Sequence, residues 1–257
     1  MDSQLSALLD RFDHLLERAE QLLPAPAPTI NWQQTVALRW HRQGDHGYLQ
    51  PLYQTDPISL VDLLGVERQK RAISGNIEQF MAGLPANNIL LWGSRGTGKS
   101  SLLKALLNEY AGQGLRLIEV DKTDLLQLPQ ILELVRSRPE KFLLFCDDLS
   151  FETGDPGYKA LKVVLDGSLT VSLDNLLVCA TSNRRHLMPE PENDNQATGH
   201  QDGEIHFGEG VEERISLSDR FGLWLAFHPF DQNQYLAIVQ HWLAQFGYGD
   251  QLDQARE

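Results

Sequence analysis

Gly93-Ser94-Arg95-Gly96-Thr97-Gly98-Lys99-Ser100 decides how the rest of this 257-residue chain is read. The octapeptide matches G-x-x-x-x-G-K-[ST], the Walker A phosphate loop, in full. An apolar run of strand length, Ile89 to Trp92, leads into it. A helical stretch, Lys99 to Tyr110, leaves it, with Ser101 directly behind the motif. Glycines let the backbone turn tightly and approach phosphates with no Cβ in the way. The exposed amides and the positive end of the following helix then cradle an anion. Gly93 to Ser101 are therefore expected to surround the phosphates of ATP. Lys99 is expected to reach the β- and γ-phosphates, and the Ser100 hydroxyl to ligate Mg2+. Arg95 and Thr97 fill variable positions and are expected only to line the loop.

Moving outward, apolar runs recur at Leu115 to Val120, Phe142 to Cys146, Leu176 to Ala180 and Leu223 to Phe227. Helical patterns separate the earlier ones: Thr123 to Arg136, interrupted or started at Pro129, and Tyr158 to Leu165. Apolar strands alternating with amphipathic helices predict a parallel sheet covered on both faces, an α/β P-loop NTPase. The run Phe142-Leu143-Leu144-Phe145-Cys146 ends in Asp147-Asp148. A hard cation beside phosphates wants oxygen ligands, so Asp147 takes the magnesium role of a Walker B strand. Asp148 is placed to orient the attacking water, where many relatives use Glu. Glu152 is a weaker candidate for the base.

Two further segments refine the class. The strand from Leu176 to Ala180 ends in Thr181-Ser182-Asn183, and Asn183 looks like the first sensor of AAA+ proteins, which holds the lytic water. Ser218-Asp219-Arg220-Phe221-Gly222 resembles the segment of AAA+ motors that carries an arginine finger. Such an arginine stabilises charge on the transferred phosphoryl group and is usually supplied by a neighbouring subunit. A homo-oligomer acting in trans follows. Leu64-Gly65-Val66, one helix before the phosphate loop, resembles the stretch lining the adenine pocket, and Gly65 lets the backbone approach the base. N-K-x-D and L-S-G-G-Q signatures are absent, which sets aside GTPases and transporter ATPases.

Together four stretches, Gly83 to Trp92, Phe145 to Glu152, Ala180 to Leu187 and Ile215 to Phe221, resemble a bacterial family of stand-alone AAA+ ATP-binding proteins catalogued as a domain of unknown function. The resemblance spans about residues 40 to 246 and implies an AAA+ fold with bound ATP. It supplies no substrate. In that family a helical lid continues into a Gly-Ser-Arg-rich second sensor. Here the lid starts at Asp231 to Phe246 and the second sensor is missing by Glu257, so a shortened lid is expected and hydrolysis follows less directly than binding.

The division expected is an amphipathic helix (1–23), a Pro-rich linker and accessory segment (24–56), the AAA+ domain (57–230) and the start of a lid (231–257). Leu5, Leu8, Phe12, Leu15, Ala19 and Leu22 form the stripe of that first helix. It packs on the body or on a partner. Val36, Leu38 and Trp40 alternate like a half-buried strand. Residues 188–213 carry eight Asp and Glu and no Lys or Arg, which reads as a mobile surface loop, with a lid or partner-binding loop as the sharper alternative. His200 and His206 within it point more weakly to a metal.

The formal charge of −13 opposes non-specific nucleic-acid binding. Cys146 and Cys179 lie in core strands, which fits a reduced, cytoplasmic protein. No apolar run is long enough to span a bilayer. The reading is an ATPase remodelling an unknown macromolecular partner. The alternatives are an ATP-gated switch with negligible turnover and a nucleic-acid loader or initiator.

Overall fold

In the computed structural model, β3 (Ile89–Gly93) lies between two parallel neighbours, β6 (Leu176–Ser182) and β9 (Leu223–Phe227). The structure describes residues 11–12, 27–44, 46–53, 57–152, 155–166, 173–185, 187, 200–201, 204–205, 217 and 219–248. β5 (Lys141–Cys146) follows beyond β6, then β4 (Leu115–Glu119). β1 (Ala37–Gln43) runs parallel to β4 and antiparallel to β2 (His46–Leu52). The order is β2-β1-β4-β5-β6-β3-β9. Only the β1–β2 hairpin breaks the parallel pattern.

The central strands are apolar because both their faces are covered. Phe142 to Cys146 are buried throughout, as are Leu177 to Ser182. One core packs under α1 (Glu67–Met81) and α2 (Lys99–Tyr110), around Ile73, Ile77, Leu91, Leu102 and Leu106. The other lies on the opposite face, where Leu90, Leu144 and Val178 meet Leu128 and Ile131 of α3 (Leu128–Val135) and Leu161 of α4 (Pro156–Leu165).

Local signals explain the element starts. Pro129 stands in the first turn of α3, where a missing N–H leaves no helical bond unmade, so the proline starts that helix. The preceding Lys122–Gln127 is a 3-10 turn, and Asp121 caps it by accepting from Thr123 N–H. α4 opens two residues before the expected Tyr158, because Pro156 fixes φ and Asp155 accepts from Gly157 N–H. α5 (Gln232–Gln245) begins with a capping box between Asp231 and Gln234.

Of the alternating Val36, Leu38 and Trp40, the last two lie in β1, which extends the main sheet, and Val36 directly precedes it. Trp40 is buried and its indole Nε1 donates to Gln127 Oε1 at 2.7 Å, tying the hairpin to the turn before α3. The expected first helix falls outside the described residues apart from residues 11 and 12, which are helical. Within the acidic segment the structure describes an antiparallel ladder of β7 (His200–Gln201) and β8 (Glu204–Ile205). The side chains of His200 and His206 and the remainder of that segment lie outside the described residues.

Candidate active site

The phosphate loop, Asp147, Asp148 and Asn183 meet at the C-terminal ends of β3, β5 and β6. The strand order produces this, since β6 separates β3 from β5 and brings its own tip between them. A cleft of about 250 Å³ opens there. Arg95, Gly96, Gly98, Lys99, Ser100, Ser101, Asp147, Asp148, Thr181 and Asn183 line it.

The loop's three glycines have different reasons. Gly96 and Gly98 sit at φ of +75° and +90°, and a Cβ on either would point into open space. Left-handed backbone is what these positions require, and it leaves the amides accessible. Gly93, at φ +134°, is required by packing as well, since a Cβ there would run into the Phe227 carbonyl of β9. Thr97 is buried, and its hydroxyl donates to Ser94 O at 2.7 Å, bracing the turn. Lys99 Nζ donates to Gly93 O and Ser94 O, both at 2.7 Å. The ammonium is therefore held within the loop. Burial pulls its pKa below the usual lysine value, while Asp147 and Asp148 act in the opposite direction.

At the acidic wall, Ser100 Oγ donates to Asp147 Oδ1 at 3.0 Å. Thr181, buried at the tip of β6, donates to the same oxygen at 2.5 Å and accepts from Asp148 N–H at 2.9 Å. Asp148 is the one non-glycine with positive φ (+49°) among the described residues. Such backbone costs of order 1 kcal/mol and concentrates at functional sites. Its carboxylate accepts from Asn183 Nδ2 at 2.5 Å and from the Arg95 guanidinium at 2.9 Å. Glu152 is exposed and lies outside the cleft lining.

This donor set fits magnesium and a triphosphate. A hydroxyl and a carboxylate oxygen 3.0 Å apart are hard ligands beside a loop of amides and one lysine. Among the described residues no three His, Cys, Asp or Glu side chains converge into a protein-only metal cage. Magnesium ordinarily takes few protein ligands, and phosphates and water complete its shell.

Three candidates lie away from the cleft. Arg220 precedes β9, so it sits at the opposite end of the sheet from the phosphate loop, roughly the 16 Å length of a five-residue strand away. There its Nε pairs with Asp166 just past the end of α4. Gly65 and Val66 form the turn before α1. Gly65 has φ +76°, and a Cβ on it would meet Phe230 at 3.1 Å, so the turn faces the segment leading into α5. A larger cavity of about 520 Å³ lies elsewhere, between Phe80, Leu84, Val164 and Leu173. Lys141 is the one cationic side chain in its lining, and neither the phosphate loop nor the acidic pair reaches it.

The family described as a protein of unknown function (DUF815) matches residues 33–257. The chain belongs to this family. A curated relative is a chloroplastic ClpA homolog of Brassica napus, an ATP-binding subunit of the ATP-dependent Clp protease. It is 28% identical over an alignment of 151 residues, covering 47% of this chain and 17% of that one. The DUF815 chain thus spans less than a fifth of that relative's length. Among solved structures, the RuvB Holliday junction branch migration motor of Thermotoga maritima is 18% identical. That alignment covers 74% of this chain and 54% of the motor, with a TM-score of 0.47. A single-residue variant of the same motor gives 17% identity, the same coverage and a TM-score of 0.49. This DUF815 chain has an α/β fold in which a mostly parallel seven-stranded sheet carries a phosphate loop after β3, and no helix among its described residues is long and apolar enough to cross a membrane.

Sequence reasoning missed Thr181 and the Arg95–Asp148 pair. Thr181 stands two places before Asn183, and a hydroxyl at the last inward position of a strand is the only local signal. It also missed Asp62, just before the Gly65 turn. Asp62 Oδ2 accepts from Ser59 N–H and Oγ–H, while Oδ1 accepts from His241 and Gln245 of α5 at 3.1 and 2.7 Å. The Ser59 hydrogen bonds hold this carboxyl below the usual aspartate range.

Proposed function

We propose that this DUF815 chain binds Mg·ATP in the cleft between the phosphate loop and the ends of β5 and β6, and hydrolyses it. The observation that carries the reading is the convergence of Lys99, Ser100, Asp147, Asp148 and Asn183 on one cleft from three separate stretches of sequence. Lys99 and the amides of residues 96–100 bind the β- and γ-phosphates. Ser100 and Asp147 hold the magnesium ion, which neutralises charge building on the phosphate oxygens. Asp148 and Asn183 orient a water, whose oxygen forms the new bond to the γ-phosphorus. The bond from that phosphorus to the β,γ-bridging oxygen breaks, giving ADP and phosphate. Thr181 fixes the two aspartates relative to each other. Gly65 and Val66, beside Phe230, border the base.

Arg220 cannot reach its own cleft across the sheet, so in this reading it serves a neighbouring copy and the working form is an oligomer. Turnover then drives rearrangement of a macromolecular partner, in a cytoplasmic setting consistent with two free, buried thiols. A second reading, an ATP-gated switch with negligible turnover, is favoured by one feature. Asp148 already accepts from both Arg95 and Asn183, and both bonds compete with its handling of water. A nucleic-acid loader is opposed by the −13 charge.

The test is a titration with a fluorescent ATP analogue, with and without magnesium, alongside phosphate release. Lys99→Ala is expected to abolish binding at concentrations that saturate the wild type, and unchanged binding would falsify the site. Tight binding by the wild type with no phosphate release selects the switch.

A further inference from the structure

β9 closes one side of the sheet, and among the described residues it pairs with β3 alone. Leu223 N–H donates to Asn88 O, so the backbone groups of residues 223, 225 and 227 face β3. Those of 224, 226 and 228 therefore face outward. Gln69 Nε2 of α1 donates to Ala226 O at 2.7 Å, in keeping with that orientation.

A cleft of about 290 Å³ runs along this edge. Trp224 and Ala226 project to one face of the strand and Leu225 to the other, yet all three line it, so it follows the strand rather than either face. Trp92, Arg68, Gln69, Arg185 and His228 complete the walls. The Arg185 guanidinium lies 5.7 Å from the centre of the Trp92 ring, and the His228 ring meets the edge of the same indole. No Asp or Glu lines the cleft. Among the described residues neither Arg68 nor Arg185 pairs with a carboxylate. In a chain with 35 acidic and 22 basic side chains this is a local inversion of charge.

We propose that this edge docks an extended acidic segment of a partner protein, which adds to β9 as a further strand. Alternate side chains of the added strand meet the two sides of the cleft. Carboxylates on it match the planar donor forks of Arg68 and Arg185, and apolar or aromatic residues lie against Trp92 and Trp224. Outward-facing backbone groups select a peptide over a nucleic acid, because only a peptide supplies matching N–H and C=O groups. The −13 charge also repels a long polyanion, whereas a few carboxylates meet the two arginines at short range. The Gln69 amide guards the edge and swings away from Ala226 O on docking. Docking stands apart from hydrolysis: an inactive nucleotide site leaves the edge intact.

The experiment uses the full chain and fluorescence anisotropy at low salt. Its probe is a labelled peptide of about ten residues, two strand widths of the usual strand length, alternating Glu with Val and Tyr. A Lys-for-Glu version and a single-stranded oligonucleotide of equal charge are compared. The acidic peptide is expected to bind at least tenfold tighter than the Lys version. Arg68→Ala with Arg185→Ala weakens it about tenfold, near threefold per exposed contact, with an unchanged melting temperature. Lys159→Ala, on α4, leaves it unchanged. Ala226→Pro, which removes an outward N–H, weakens it further; if that variant does not fold, the arginine pair decides alone. Equal binding of both peptides, or no loss in the arginine pair, overturns the proposal. So does tighter oligonucleotide binding through the same arginines, or self-association of the free chain that the arginine pair abolishes.

Discussion

Replacing Thr181 by Val keeps the shape of the side chain and removes its hydroxyl. The residue is 1% exposed, so no water takes the hydroxyl's place. Two bonds are lost: the donation to Asp147 Oδ1 and the acceptance from Asp148 N–H. A hydrogen bond to a charged group contributes about 1.5–3 kcal/mol, and leaving a shielded N–H unpaired costs about 1–3 kcal/mol. Burial of the added methyl offsets about 0.8 kcal/mol of this. The net expectation is a destabilisation of about 2–5 kcal/mol. For a chain of this size each kcal/mol shifts melting by about 2–4 °C, so Tm is expected to fall by roughly 4–20 °C. The same hydroxyl orients a magnesium ligand, and losing such support costs about 10–100-fold in metal affinity. Thermal unfolding by circular dichroism reads the first effect. The magnesium concentration needed for half-maximal nucleotide binding reads the second. Thr181→Ser retains the hydroxyl and is expected to stay near wild type in both. A Val variant that melts within about 1 °C of wild type and needs no more magnesium refutes the coupling of β6 to the acidic pair.

Asp62 ties α5 to the turn before α1, and its pKa is lowered chiefly by the Ser59 bonds. A lowered folded pKa contributes stability that is present above the unfolded value of about 3.9 and is lost as pH falls through the folded value. Asp62→Asn is therefore expected to loosen α5 at neutral pH, seen as a shift in Trp242 emission, and to flatten acid unfolding below about pH 4. Wild-type acid sensitivity in that variant counts against the contact. Burial pushes the Cys146 thiol up to about 12 and Cys179 well above the ordinary thiol range. Thiol reagents at pH 8 are expected to label neither until the chain unfolds; labelling of the folded protein contradicts their place in the core.

What was legible in the sequence follows from how locally each feature is encoded. The phosphate loop is eight consecutive residues, and the strands beside it are continuous apolar runs because they are covered on both faces. The position of Asp147 directly after β5 is legible because a strand end is visible in one dimension. The Asp148–Asn183 and Asp148–Arg95 contacts join residues 35 and 53 positions apart, and only the strand order brings them together. Arg95 filled a variable position of the motif and so carried no signal. Gly93 was read for phosphate approach, whereas the carbonyl of Phe227, 134 residues later, explains its crowding. The second strand of the N-terminal hairpin, His46–Leu52, has a Gly and a Pro in seven residues, which masked its β pattern. The α5 contact to Asp62 spans 183 positions and left no trace in the local sequence.

The central claim is an ATPase whose site is completed by the Arg220 of another copy. It is tested most directly by phosphate release from Mg·ATP by Lys99→Ala, by Arg220→Ala, and by their mixture, with mass measured in parallel. Each variant alone is expected to be inactive, the first without nucleotide and the second bound but slowed by about 10³-fold or more. In the mixture, intact Arg220 on Lys99→Ala subunits completes the sites of Arg220→Ala subunits, and release returns with assembly. Mixed oligomers that form and release no phosphate, while the wild type does, contradict the shared site. A wild type that binds ATP and releases none at any concentration contradicts the ATPase itself.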